Sequence, residues 1–385
     1  MIKMEFLLFL VLLIINPVVL CGLLVLFFSY LRRIKNERKY FRTAINNDFF
    51  EGRYYIKNAL KFGFLNSIIT MLLGVELTKQ WIFVYMGIMA VGIILSFYVD
   101  LNSILLLVFT GGTIGIASLS LFDEKMVIPA SLQSFAEIKP GIIFLILTVF
   151  YLNKLFMLKS YKQDFFQPKI YNGKRGRRLI RYSLRDQTVL PLIVLVPGNL
   201  IHSLIPVWPI LSLGGQSFTL FVLPLWISWT LKLWRNSVEM ELQKAKADTQ
   251  QKLVITIIGT ILGLWFPITG IFVFIILLLL VGLRFVQRYA KMKRKGKWYA
   301  ETHDGIRVVA VRPETPAAKM NLEIGDVIIM CNGIHVTTES EFYEALQKNS
   351  AYCKLKIRTY EGQLKLAESA IFADSPHEIG VVLFR

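Results

Sequence analysis

The chain has 385 residues, 55% hydrophobic and 18% charged, against about 45–50% and about 25% in soluble domains, a balance that excludes an ordinary soluble enzyme. Its formal net charge is +18, yet residues 299–385 carry 9 Lys/Arg against 12 Asp/Glu while the remainder carries 35 against 14. The basic excess therefore lies outside the C-terminal part, which argues against nucleic acid as a partner and fits basic loops facing anionic membrane lipids.

In chain order, the first apolar run covers residues 6–31, with Pro17 expected to kink it. It is too long for the apolar region of a signal peptide, about 7–15 residues, and is read as an uncleaved span. Arg32, Arg33, Lys35, Arg38, Lys39 and Arg42 follow, interleaved with Tyr40, Phe41, Phe49, Phe50, Tyr54 and Tyr55. Such a stretch suits the cytoplasmic headgroup layer and leaves the N-terminus outside. Apolar runs at 60–77, 81–98 and 103–122 predict three closely linked spans. A loop at 123–139 with no basic bias is expected outside, before a fifth span at 140–157.

Residues 158–187 are rich in Lys and Arg and mark a cytoplasmic loop. A sixth span is expected over 188–211, broken by Pro191, Pro197, Pro206 and Pro209, and a seventh over 217–234. Asn199 and His202 are read as satisfying backbone groups freed by that break. The VLPL strings at 189–192 and 222–225 read as coincidence. After a charged, helix-prone stretch at 235–252, a last hairpin covers 253–267 and 270–285, followed by Arg288, Lys291, Lys293, Arg294, Lys295 and Lys297. The expected fold class is a polytopic α-helical membrane protein of nine spans, or seven, followed by a small α+β domain. The expected boundary separates 1–298 from 299–385, with the C-terminus in the cytoplasm.

Beyond residue 304 the pattern changes to short alternating runs. Gly305–Val311 and Val327–Cys331 read as strands. Asn332-Gly333 is a tight turn, and Thr338 with Glu341 forms a capping box opening a helix. Cys353, Leu355 and Ile357 alternate with Lys354, Lys356 and Arg358, as in a half-buried strand. The run PETPAAKMNLEIGDVIIMCNGIHVTTESEFYEAL is similar to the core of bacterial PDZ domains. That resemblance implies a groove taking an extended peptide as an added strand. Ile379, Gly380, Val381 and Val382 would form its loop and strand, with Phe342, Ala345 and Leu346 on the facing helix. The plainer alternative is a paired edge strand in a structural domain.

No His-Glu-x-x-His pattern exists among His202, His303, His335 and His377, and Ser217 lacks the surroundings of a serine protease nucleophile. Cys21, Cys331 and Cys353 show neither disulfide nor metal spacing. No enzyme activity and no cofactor is expected.

The whole layout, and the closing stretch ALQKNSAYCKLKIRTYEGQLKLAESAIFADSPHEIGVVLF above all, resembles the MinJ-type division-site determinants of Gram-positive rods. The resemblance implies a scaffold at septa and poles. It would link a DivIVA-type coiled-coil protein to the MinC–MinD inhibitor of FtsZ assembly. A PDZ-regulated transporter and a regulatory partner of a membrane protease are the alternatives.

Overall fold

The structure, a computed structural model, describes residues 16–384 except 43, 123–128, 162, 174–177, 199–209, 214, 294–298, 350 and 372–378. The first part supplies α1 (Pro17–Phe41), α2 (Phe50–Leu72), α3 (Lys79–Ser96), α4 (Asn102–Phe122), the short α5 (Ala130–Ala136) and α6 (Pro140–Ser160). Pro17 opens α1. Proline lacks only an N–H that a first turn cannot use, and the Asn16 side chain accepts the N–H of Val18. Residues 6–15 of the expected first span lie outside the described residues. After the sheet described below come α7 (Val238–Trp265), capped by Ser237, and α8 (Thr269–Lys293). Among the described residues five helices, α1, α3, α4, α6 and α8, are long and apolar enough to cross a membrane.

The main departure from the sequence reading lies between α6 and α7. The expected sixth and seventh spans are strands, not helices. β1 (Gln167–Asn172), β2 (Arg178–Pro197), β3 (Ile210–Leu213) and β4 (Gln216–Leu233) form an antiparallel sheet in the order β1-β2-β4-β3. Asn199, His202, Pro206 and Pro209 lie outside the described residues. β2 has 20 residues, which at about 3.3 Å each outreaches a hydrocarbon core about 30 Å thick.

A two-stranded ribbon among apolar helices must satisfy its edges inside the protein. Here helix side chains do so. On the β2 edge, Ser67 Oγ donates to the Pro191 carbonyl at 2.9 Å and Thr70 Oγ1 to that of Ile193 at 2.7 Å. Further along, Leu195 exchanges backbone bonds with the segment at 75–77, Leu77 N to Leu195 O at 2.9 Å and Leu195 N to Val75 O at 2.8 Å. On the β4 edge, Tyr85 donates to the Pro224 carbonyl at 3.2 Å and Asn102 to that of Trp226 at 3.1 Å.

The prolines fit the same logic. Pro191 stands opposite Pro224, and the carbonyls of both point away from the partner strand. Their nitrogens share that direction, so each proline removes an edge N–H that would otherwise need a partner. The two VLPL strings are therefore no coincidence: they are the paired halves of the ribbon, Val189 opposite Trp226 and Leu192 opposite Leu223.

The C-terminal part contains β5 (Ile306–Val311), α9 (Pro316–Lys319), β6 (Val327–Cys331), β7 (Ile334–His335), α10 (Glu339–Gln347), β8 (Tyr352–Arg358), β9 (Leu364–Ala370) and β10 (Val381–Leu383). The sheet order is β10-β5-β6-β8-β9, with β7 against β6. The tight turn is built as expected, with Asn332 at φ 49° and Gly333 at φ 84°, and both halves of the Thr338–Glu341 capping box are present.

This part docks directly on the long ribbon. Ile180 N donates to Tyr299 O at 2.9 Å, and the buried Tyr182 hydroxyl donates to the Val309 carbonyl of β5 at 2.7 Å. The Gln163 side chain holds the loop before β6 from both sides, donating to Leu322 O at 3.1 Å and accepting from Ile324 N at 3.2 Å. Tyr360 donates to the Arg235 carbonyl at 2.9 Å, beside the start of α7. Val309, Ala310, Ile324 and Phe384 accordingly share one buried apolar cluster with Tyr182 and Phe166. Arg294, Lys295 and Lys297 of the intervening basic stretch lie outside the described residues.

Candidate functional site

The C-terminal sheet ends at β10, which pairs with β5 on one side only. Gly380 O accepts from Arg312 N at 2.9 Å and Phe384 N donates to Arg307 O at 3.2 Å. Strand groups alternate in direction, so the backbone groups of Val381 and Leu383 point to the open edge. Among the described residues no strand pairs there.

The sequence-derived groove residues are brought together, but as core. Ile379, Val381, Phe342, Ala345 and Leu346 belong to one buried cluster with Leu383, and Phe342 is fully buried. Val382 points the other way and packs, half-buried, against the larger cluster under the docked face. The side chains of β10 thus hold the strand in place, and the feature left outward is its backbone.

Gly380 has a stricter role than close approach to a ligand. Its φ of +80° is a conformation that side-chain-bearing residues rarely adopt, and an added Cβ would meet the Thr315 side chain at 2.3 Å. Thr315 Oγ1 is itself committed to Arg312 O at 2.8 Å. Any residue larger than glycine at 380 therefore has to displace the start of α9. Ile379 O completes the junction by accepting from Ala317 N at 3.0 Å.

Across the sheet, buried Asp326 accepts the Glu323 N–H at 2.9 Å, and burial pushes its carboxyl up to about 6. The loop that Asp326 braces is the one Gln163 grips. Among the described residues no three His, Cys, Asp or Glu side chains could hold a metal ion together. His377 and Glu378, just before the candidate loop, lie outside the described residues.

Sequence reasoning missed the docked face. Gln163, Tyr182 and Tyr299 are ordinary residues in the linear sequence, and only the strand register places them against β5 and the loop before β6. The one available signal is polar: Gln163 and Tyr299 precede strands, and Tyr182 lies within one, among apolar neighbours.

The chain is similar to several known proteins. The PDZ domain family matches residues 281–365, a span that stops short of β10. The cell division topological determinant MinJ of Bacillus subtilis (strain 168) is 28% identical over 372 residues, 94% of this chain and 90% of that protein. A Lacticaseibacillus paracasei protein named "Probable cell division topological determinant MinJ" is 31% identical over 221 residues, 56% of this chain and 58% of that protein. The serine protease HTRA1 of Xenopus laevis is 40% identical over only 58 residues, 15% of this chain and 13% of the protease. Among solved structures, the PDZ domain of an SdrC-like protein from Listeria monocytogenes aligns at 24% identity with a TM-score of 0.19, covering 21% of this chain and 90% of that one. The proteins matched over most or half of this chain are named as topological determinants, and the protease match is confined to a short stretch. The chain is a homologue of the cell division topological determinant MinJ, a protein of apolar helices with a C-terminal PDZ domain.

Proposed function

We propose that the chain is a non-catalytic membrane scaffold for division-site selection. It links a DivIVA-type polar and septal protein to the MinC–MinD inhibitor of FtsZ assembly, and at least one contact uses the PDZ edge. The observation that carries this reading is the MinJ match over 94% of the chain and 90% of the relative. The open backbone edge of β10 supports an added peptide strand. Micromolar affinity, about −8 kcal/mol, would suit contacts that exchange each cell cycle.

The orientation follows from charge: N-terminus outside, C-terminal domain in the cytoplasm. The strand correction leaves it untouched, because β2 and β4 replace two expected helical traverses with two extended ones. Asp100, Lys154 and Asp248 then gather at the cytoplasmic end, and the segment at 75–77 with Gly198 at the other.

Imaging a fluorescent fusion in dividing cells of the host tests the reading. Enrichment at septa and young poles, lost on depletion of the DivIVA-type protein, is the expected result. A uniform membrane ring indifferent to division would overturn it in favour of a PDZ-regulated transporter or protease partner.

A further inference from the structure

One face of the β1–β2–β4 sheet collects cations that form no ion pair among the described residues. Lys169 on β1 stands directly opposite Arg181 on β2. Lys232 on β4 stands opposite Ser183, and Arg185 opposite Thr230. Opposed residues share a face, and residues 181, 183 and 185 of one strand share it too, so Lys169, Arg181, Arg185 and Lys232 all project to one side. It is the side that α1 covers: Gln187, next in that row, donates to the Gly22 carbonyl of α1 at 3.4 Å. Further along α1, Arg32 closes the group, its Nη1 donating to Phe97 O at 3.5 Å and its guanidinium 5.1 Å from the Phe97 ring.

These charges crowd one another. Burial, and after it Arg32, Arg181 and Lys232, push the Lys169 ammonium below its ordinary value. Arg185 Nη2 is buried without a hydrogen-bond partner. Asp100 lies on the Arg185 side, where its Oδ1 accepts from Ser228 Oγ at 3.1 Å. Among the described residues no carboxylate comes within ion-pair distance of any of the five cations. Like charges held close and partly buried are unfavourable unless an anion joins them.

The setting identifies the anion. Arg32 ends the apolar stretch of α1, and the neighbouring α3–α4 turn exposes Tyr98 (79%) and Val99 (56%). Trp234 lies under Arg181 at 5.0 Å, with Tyr171 at 5.9 Å from Trp234. Aromatic residues beside exposed aliphatic ones at a helix end mark headgroup depth, where phosphates are anchored.

We propose that Arg32, Lys169, Arg181, Arg185 and Lys232 form a binding site for the phosphate of an anionic phospholipid headgroup, seated between the end of α1, the α3–α4 turn and the β1–β2–β4 sheet. The guanidiniums supply paired donors to phosphate oxygens, and the lysines supply point charges. Acyl chains would lie along α1 and α3, whose outer faces expose Phe28, Leu31, Ile94 and Leu95.

The test uses the full chain in neutral detergent, titrated with dioleoylphosphatidylglycerol, dioleoylphosphatidylcholine or inorganic phosphate and followed by thermal melting. Phosphatidylglycerol should raise the melting temperature where phosphatidylcholine does not. A K169Q/R181Q/K232Q variant should bind it at least about tenfold more weakly, since three of the basic side chains that would meet the headgroup are gone. With lipid absent the same variant should melt no lower than the parent, because repulsion is relieved; a structural role for the three would make it melt lower. The charge-conserving K169R/R181K/K232R variant should keep the lipid response and guards against misfolding. Equal responses to the two lipids, or an unchanged response in the triple Gln variant, would overturn the proposal. A response to inorganic phosphate equal to that of phosphatidylglycerol at the same concentration would overturn the lipid as the source.

Discussion

In the sheet among the helices, the carbonyls of Pro191, Ile193, Leu195, Pro224 and Trp226 are met by a hydroxyl, an amide or a neighbouring segment. In the C-terminal sheet, β10 and β9 end the strand order with no further strand among the described residues. The first arrangement is what an apolar environment demands, because an unmet backbone group there costs several kcal/mol. The second is tolerable only in contact with water, and it is also what a binding edge requires. The difference teaches how each sheet meets its surroundings: the edges among the helices are closed by side chains and a neighbouring segment, and the outer strands of the C-terminal sheet carry no further strand among the described residues.

The seal is most exposed to failure at Gly63. A Cβ at that position would meet Pro191 Cδ at 2.5 Å, so α2 lies on β2 through the missing side chain. Gly63→Leu should push α2 off the ribbon and strip Ser67 and Thr70 from their carbonyls. Overpacking and lost hydrogen bonds together should cost about 3 kcal/mol or more. Thermal melting in detergent checks this, and a parent-like melting temperature would mean that α2 does not seal β2.

A smaller and more pointed effect is expected at Pro224. Alanine there restores an N–H directed at the helices, where no partner is described. Pro224→Ala should cost about 1–3 kcal/mol, the penalty of an orphaned buried donor, although alanine fits a strand better than proline does. If the variant is neutral or stabilised, water reaches that edge and the contrast between the two sheets fails.

The same contrast explains what was legible in the sequence. The PDZ domain announces itself through short-range signals: the Asn332-Gly333 turn, the Thr338–Glu341 box and the alternation around Cys353. Each is set by neighbours within a few residues. The ribbon is covered on both faces and presents nearly continuous apolar runs, which periodicity cannot tell from helix. Pro191 reads as a helix break in the linear sequence but is an edge residue of the ribbon, and pairing of the VLPL strings needs a register the sequence does not display. The candidate groove residues are named by a family resemblance and not by local signals. That Ile379, Val381, Phe342, Ala345 and Leu346 are core, with Gly380 packed on Thr315, depends on depth that the pattern does not encode. The cationic site spans residues 32–232, and only the β1–β2–β4 register assembles it.

The contact joining the two sheets should contribute least. Arg178 Nη2 reaches Glu301 Oε1 at 2.6 Å where Tyr299 and Ala300 meet β2, but the side chains are 39% and 36% exposed. The hydrogen bond from Arg178 comes first in holding the Glu301 carboxyl below its ordinary value of 4.5. A carboxylate whose folded value is depressed adds stability above its unfolded value and loses it as pH falls through the folded one. Exposure and salt limit the gain to about 1 kcal/mol at most. Glu301→Gln should therefore lower the melting temperature slightly at pH 7 in low salt. The gap to the parent should close in high salt and again at pH values below the carboxyl's folded range. A large gap that persists in acid would assign the docked arrangement to this pair instead of to Tyr182, Gln163 and the apolar cluster around Phe384.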